Sequence, residues 1–469
     1  MLLVAALACP FALAAEPARA PAPDADSGAS SQVILGSYGR VEASTDLAGG
    51  AGDPITITAH PGRLEEQPYA ELDLGWRMKT ASGAHFLALV TPALSGDLFH
   101  YTGTFDASLA IRNLYAQADD FGVPGLGVWA GSRMYRGDDV YLLDFWPLDN
   151  LNTLGGGAFW THGGLDVAAH VGFNRLSADD WQYQSIADIT PGSVGSSSVT
   201  YLDRQRTIVS AKASYAVPLG SLHLRPRLYG ELHNLPAGVR QIDYGVTEQT
   251  PKTEDLPAEH GYRVGGELSL YGWARDSYVN VFYRHATGIA AIGELTVPTT
   301  GFALDGSVNH AAEDLGALAF NQEAGPFSVA AGAYLRAWRD ADANVVDPDD
   351  GWEWVGSVRP GWYPTRYVAL QAEFSRENAF PAGLDPRTNV MERPTVTRLS
   401  FLPGVQLGKG TFARPNIHLR YTLAVVNQDE LNRLDPNDAR RAAWTGVGPL
   451  VSHEVGIGAE WWIDSQGYR

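Results

Sequence analysis

Along most of this chain apolar and polar residues alternate one for one, the period that sends successive side chains to opposite faces of a β-strand. Between Leu222 and His233 one face carries Leu222, Leu224, Pro226, Leu228 and Leu232. The other carries His223, Arg225, Arg227, Tyr229, Glu231 and His233. Further on, Ile417, Leu419, Tyr421, Leu423 and Val425 oppose Asn416, His418, Arg420, Thr422 and Ala424. Likewise Val368, Leu370, Ala372 and Phe374 oppose Gln371, Glu373, Ser375 and Glu377. A soluble β-sandwich alternates too. Two features separate the readings. The runs reach about 10 residues, the length of tilted strands that cross a bilayer. The connections also switch between tight and long, as expected when one rim of a barrel carries turns and the other carries loops. Pro218 to Ser221, Ala274 to Ser277, Tyr363 to Arg366 and Gly408 to Thr411 are tight. Asn234 to Gly261, the stretch after Thr287, Asn378 to Pro394 and Val426 to Ser452 are long. A long loop at Arg339 to Gly351 breaks this rhythm unless a strand precedes it. Gly316 to Phe320, with a turn at Glu323 to Pro326, supplies that strand.

The pattern therefore predicts an all-β chain folded as a transmembrane antiparallel β-barrel. Pro226 and Pro403 fall inside predicted strands, where the missing N–H implies a bulge or local break. Trp273, Tyr271, Trp362 and Tyr363 fall near strand ends, where an interfacial aromatic girdle is expected.

The ends read differently. Residues 1–15 are an apolar run closing in small residues, a signal peptide too short to span a bilayer. Residues 16–32 are rich in Ala, Pro, Asp and Ser and read as a flexible arm. The barrel domain is expected over 33–463, with a short extension at 464–469. Cys9, the single cysteine, lies in the signal segment, so neither a disulfide nor a cysteine metal site is expected beyond it. The net charge of −19 argues against nucleic acid as a partner.

Motifs for other chemistries fail. Asp340-Ala-Asp342-Ala-Asn344 opens like a calcium loop but has Val345 where Gly is needed and Gly351 where Glu is needed. It reads as a solvated acidic loop, and no metal site is assigned. Gly408-Lys409-Gly410-Thr411 lacks the upstream Gly of a phosphate loop and reads as a turn. Asp138, Asp139 and Asp144 offer carboxylates for glycosidase acid/base work, a minor reading, since acidic residues are common in this chain. No catalytic residue and no cofactor are assigned.

The segment Val128-Trp-Ala-Gly-Ser-Arg-Met-Tyr-Arg-Gly-Asp-Asp-Val-Tyr-Leu-Leu-Asp-Phe145 resembles the maltoporin family of sugar-specific outer-membrane porins. In that family a strand of this type runs into a loop that folds inside the barrel and narrows the pore. Ser37 to Arg40, Tyr69 to Gly75, Val358 to Pro364, Phe412 to Ile417 and Gly458 to Ile463 resemble other strands of the family in the same order. The resemblance implies an eighteen-stranded trimeric barrel in the Gram-negative outer membrane, in contact with its lipid. It also implies facilitated diffusion of maltodextrin-like oligosaccharides along a lane of aromatic rings flanked by ionisable residues. A pyranose lays its apolar face on a ring while its hydroxyls exchange charge-assisted hydrogen bonds. Many weak contacts in series permit both entry and exit.

Strand parity tests the lane candidates independently. Tyr38 shares a face with Arg40 and Glu42, opposite Leu35 and Val41. Tyr69 lies with Glu71 and Asp73, opposite Leu72 and Leu74. Phe412 is in phase with Asn416, His418 and Arg420. In the last strand Trp462 lies with Glu454 and Glu460, whereas Trp461 lies with Val455 and Ile457 on the lipid face. The stacking lane is thus assigned to Tyr38, Tyr69, Phe412 and Trp462, with Trp146 at the family's constriction tyrosine. The polar track is assigned to Arg40, Glu71, Asp139, Asp144, Arg63, Arg112 and Arg136. The family's inner-loop arginine falls on Gly137 here, with Arg136 one place earlier as its candidate replacement. The loop over 97–105, where the family lends a Trp to a neighbouring subunit, offers Phe99, Tyr101 and Phe105. Two alternatives stay open: a porin of general or different solute selectivity on the same barrel, and a secreted β-rich glycosidase.

Overall fold

A computed structural model of the chain describes residues 29–464 except 48, 53–54, 66, 97, 105–106, 176–203, 243–251, 293–300, 345, 348–349, 439 and 442–447. The signal segment, residues 16–28 of the arm and 465–469 lie outside the described residues, as do Phe105 and the side chains of Phe99 and Tyr101. The alternating runs form the strands β1 (Ser30–Asp46), β2 (Tyr69–Lys79), β3 (His85–Ser95), β4 (Ser108–Asp119), β5 (Leu126–Arg136), β6 (Asn150–His162), β7 (Leu165–Asn174), β8 (Arg206–Tyr215), β9 (Leu222–Leu235), β10 (Glu259–Tyr271), β11 (Tyr278–Gly288), β12 (Ala312–Ala324), β13 (Phe327–Arg339), β14 (Gly351–Trp362), β15 (Val368–Pro381), β16 (Thr395–Gln406), β17 (Asn416–Val426) and β18 (Leu450–Ile463). Val217–Leu219 continues β8 past a break at Ala216. Each strand pairs antiparallel with its neighbours, and β1 closes the ring on β18, with Tyr38 opposite Trp462. The result is a closed eighteen-stranded barrel. β1 begins at Ser30, so residues 30–32 of the expected arm are strand, held opposite Lys79, Met78 and Arg77.

The connections follow the alternation read from the sequence. Every odd strand is followed by a long loop and every even strand by a shorter turn. The strand needed before Arg339 is β12. A small hairpin, Gly238–Ile242 with Lys252–Leu256, decorates the loop after β9.

Pro226, Pro403 and Pro360 each interrupt the ladder on one side only. Pro226 keeps its place opposite Leu268, while on the β8 side the pairing lapses at Ala216. Pro403 stays opposite Leu370 but loses its pairing with β17, and Pro360 stays opposite Val329 but loses its pairing with β15, the register resuming unchanged beyond each. A strand residue aims its N–H at one neighbour, so a proline costs the pairing on that side and spares the other.

The outer face carries exposed Leu228, Leu232, Leu268, Val281, Leu399, Leu419 and Ile457, while Arg284, Arg336, Glu313 and Glu377 are buried inside. Apolar-out and polar-in is the order a lipid-facing barrel requires. Tyr363 departs from the girdle expectation. It is buried and exchanges hydrogen bonds with Ser328 and Gln371 inside the wall, while its neighbour Trp362 faces outward.

One seam is incomplete. β4 and β5 pair only from Leu114 to Asp119 against Ser132 to Gly127. Beyond that point Ser108 to Asn113 and Arg133 to Arg136 form no ladder with one another. The strands part at Gly131, whose φ is +133° and where a Cβ would stand 2.2 Å from the Leu114 carbonyl oxygen. An outer groove lined by Leu94, Ile111, Leu154 and Phe173 lies along the open part.

Candidate functional site: the constricted lumen

The loop between β5 and β6 folds into the barrel as expected. Val140, Leu142, Leu143, Phe145, Trp146 and Leu148 are all at most 2% exposed. Val140, Leu143, Phe145 and Leu148 pack with Tyr229, Phe282, Tyr334 and Val355 of the far wall, and Leu142 packs with Ala330. Polar ties fix the loop: Arg284 Nη1 donates to the Pro147 carbonyl at 2.8 Å, and Lys212 Nζ to Asp149 at 2.8 Å. Asp138 is held by Arg225 and by Arg227 at 3.2 Å, so it is committed to the wall rather than presented as an acid or base. Asp144 turns the chain with φ 46° and faces Arg40 Nη1 at 3.7 Å. Burial pushes the Asp139 carboxyl up to about 7, opposed by the charge of Arg63. The absence of a side chain at Gly137 is required, because a Cβ there would stand 1.8 Å from Asp149 Oδ1.

A second segment, which sequence pattern did not flag, also enters the lumen. After β1, the chain at 55–63 crosses toward β13 to β16. Thr58 Oγ1 donates to Glu377 at 2.8 Å, the His60 N–H to the Tyr334 hydroxyl at 3.2 Å, and the His60 ring stacks on Phe145 at 4.5 Å. This crossing delivers Arg63 to the pore centre.

The aromatic candidates form a row. Tyr69 lies 6.0 Å from Tyr38, Tyr38 lies 6.4 Å from Trp462, and Trp462 lies 6.5 Å from Phe412 between ring centroids. Tyr278, not anticipated, extends it at 6.4 Å from Phe412. Tyr141 of the inner loop, also not anticipated, meets Phe412 edge-on at 5.1 Å and Trp462 at 6.1 Å. Tyr38, Tyr69 and Trp462 owe their direction to strand parity. Phe412 does not: it lies in the turn before β17, not in phase on the strand as expected, and the fold of that turn brings it to the row. Trp461 faces outward, paired opposite Gly39, with Nε1 donating to Ser37 Oγ at 3.0 Å. The structure does not bring Trp146 into the row. Its ring is buried beneath the Arg136 guanidinium, whose carbon is 4.1 Å from the ring centroid.

The polar track flanks these rings. Arg63 donates to the Tyr38 hydroxyl at 2.9 Å and to Glu460, and stands 4.5 Å over the Tyr141 ring. Arg40 donates to the same hydroxyl at 3.2 Å. Arg112 donates to the Tyr69 hydroxyl at 2.9 Å, and that hydroxyl donates to Glu71. Arg414 and Arg359, which the sequence reading did not include, stand 4.8 Å over Trp462 and 5.9 Å over Tyr141. A cleft of about 60 Å³ runs between Arg63, Tyr141, Arg359, Arg414 and Glu460. Away from the row, the carboxylates of Asp340, Asp342 and Asp347 lie within 4.8 Å of one another. Asp340 is buried rather than solvated, accepting from the Gly301 and Asp342 N–H groups at 2.9 Å each.

Several solved outer-membrane channels align with most of the chain at low identity and low TM-score. OmpT of Vibrio cholerae, in its trimer form, is 11% identical, with 93% of this chain and 99% of that chain covered at a TM-score of 0.41. DcaP of Acinetobacter baumannii is 10% identical, with 94% and 99% covered at 0.45. OccD3 (OpdP) of Pseudomonas aeruginosa is 10% identical, with 93% and 92% covered at 0.45. The stronger finding is at the level of sequence family, where residues 33–462 match the LamB porin model. With a closed eighteen-stranded barrel, an apolar outer face and an inward-folded loop, the chain is a channel of the Gram-negative outer membrane and belongs to the LamB porin family.

Proposed function

We propose that this porin passes oligosaccharides of the maltodextrin type, and that the row from Tyr69 to Tyr278 is their path. The observation that carries this reading is the even spacing of the row, with steps of 6.0, 6.4, 6.5 and 6.4 Å. The rings follow one another without a gap, so a pyranose leaving one ring meets the next as the chain advances. Arginines and carboxylates beside Tyr38, Tyr69 and Trp462 supply the hydroxyl partners. No reaction step is assigned to the protein. The test is ion current through the purified protein in a planar bilayer during titration with maltooligosaccharides. Saturable block that tightens with chain length is expected. Open channels that no maltooligosaccharide blocks would refute maltodextrin passage and leave a porin of other selectivity.

The working unit in this reading is a homotrimer. Support comes from the open β4–β5 seam, whose unpaired backbone groups need a protein or water cover at membrane depth. Mass measurement in detergent tests it: three copies per particle are expected, and a monomeric particle retaining conductance would refute it.

A further inference from the structure

We infer that Arg136 and Trp146 form a subsite that receives the carboxylate of an acidic sugar. The inference deepens the sugar-path reading above and rests on it. Arg136 is the last residue of β5, where the wall gives way to the inner loop. Its Nε donates to Asn150 Oδ1 at 2.6 Å. Its two terminal nitrogens, Nη1 and Nη2, are buried and have no hydrogen-bond partner. The indole Nε1 of Trp146, beneath the same guanidinium, is also buried without a partner.

The nearby acids do not close this gap. Arg112, Asp144, Glu71 and Tyr69 are within electrostatic reach of Arg136. Glu71 spends Oε1 on the Tyr69 hydroxyl and lies 3.9 Å from Arg112, its other oxygen accepts no hydrogen bond from Arg136 or any other donor, and Asp144 faces Arg40. Three neighbouring buried donors therefore have no acceptor committed to them. A sugar hydroxyl meets such a set poorly, because it brings a donor of its own. A carboxylate brings two acceptors in one plane, the shape that the two terminal nitrogens of a guanidinium match in parallel. The face-on indole holds the guanidinium plane by cation–π attraction and offers it no hydrogen bond to spend its nitrogens on. Arg112 donates to the Tyr69 hydroxyl and also to the sulfur of Met134, two residues before Arg136 on the same face of β5, so the subsite adjoins the Tyr69 end of the aromatic row. An acidic sugar could rest its ring on Tyr69 while its carboxylate meets Arg136.

The test compares maltotriose with its counterpart carrying a carboxylate in place of one terminal C6 alcohol, by current block at constant ionic strength. The reading is the ratio of half-blocking concentrations within one protein, so a general loss of binding cancels. In the natural protein the acid should block at about tenfold lower concentration, as expected for a charge-assisted bidentate pair. Arg136→Gln should bring the ratio to about one, and Arg136→Lys, which keeps charge without the fork, to about threefold. The heat-modified gel shift of the barrel checks that each variant is folded. Equal block by both sugars in the natural protein, or a preference that survives Arg136→Gln, overturns the subsite. Sodium acetate that competes as well as the acid sugar at equal concentration overturns its sugar component. A natural channel blocked by neither sugar sinks the sugar path itself. One blocked by maltotriose without preference for the acid sinks only the subsite.

Discussion

Trp462→Ala removes the middle ring of the row and doubles the step between Tyr38 and Phe412. Trp462 lies 6.4 Å from one and 6.5 Å from the other, and Tyr141 closes on it edge-on at 6.1 Å. One face of an indole offers a pyranose on the order of 50 Å² of apolar surface, worth about 1.2 kcal/mol at ~25 cal/mol per Å². At about 1.4 kcal/mol per decade this is roughly a sevenfold rise in the half-blocking concentration of a long maltooligosaccharide. Because Arg414 stands over the same ring, its guanidinium loses a platform, and the effect should fall at the upper side of that range. The assay is current block in planar bilayers, with Trp461→Ala as the matched control. Trp461 is the adjacent residue and the same side chain, but it points outward over Gly39. Its removal should leave block unchanged. Equal effects of the two substitutions, or no change in block for Trp462→Ala at normal conductance, would refute the assignment of the row as the sugar path.

Other substitutions probe the loop that narrows the pore. Phe145→Ala takes a ring from between His60 and Tyr334, 4.5 and 5.5 Å away. It should cost about 3 kcal/mol in urea unfolding and raise unit conductance as the loop loosens. Asp139 titrates high because it is buried, so the folded barrel holds a proton that the unfolded chain releases. Stability from that proton is fully present below the ordinary carboxylate range and is lost as pH rises toward about 7. Asp139→Asn should therefore melt with the natural protein near the acid end of that window and above it at the alkaline end, and parallel melting curves at both ends would contradict this. Gly137→Arg drives a Cβ into Asp149 and should destabilise the barrel by about 2 kcal/mol in the same unfolding assay.

Where side chains obey a period, sequence pattern located them. Tyr38, Tyr69 and Trp462 sit on strands, and one-for-one alternation is enough to send each inward. Tyr141 escaped because a loop has no period to read. Tyr278 was legible in principle, since Tyr278, Asn280 and Arg284 share a buried face. Phe282 on that face and Tyr283 on the outer one blurred the contrast. The rule of a polar lumen also fails locally. Leu87, Leu89 and Ile208 point inward and join a buried cluster with Tyr115, Trp129 and Tyr135. Trp146 was placed by motif position alone, and motif position carries no information on which way a loop side chain turns. The crossing of 55–63 was hidden for a related reason: its contacts with Glu377 and Tyr334 join residues some three hundred positions apart.

The parted strands at Gly131 bear on how the molecule comes into being. In hydrocarbon no solvent satisfies a stray N–H or C=O, and each one left bare costs several kcal/mol. Ser108 to Asn113 and Arg133 to Arg136 leave a short edge of backbone groups without strand partners across the seam, where, among the described residues, the Met134 N–H alone is met, by Asn113 Oδ1 at 3.0 Å. A solitary barrel would meet that penalty at the moment of insertion, and a barrel that arrives with its edge already covered would not. In the trimer proposed above, insertion and association cease to be separate steps, and the rate of reaching the final state becomes a property of concentration as well as of the chain.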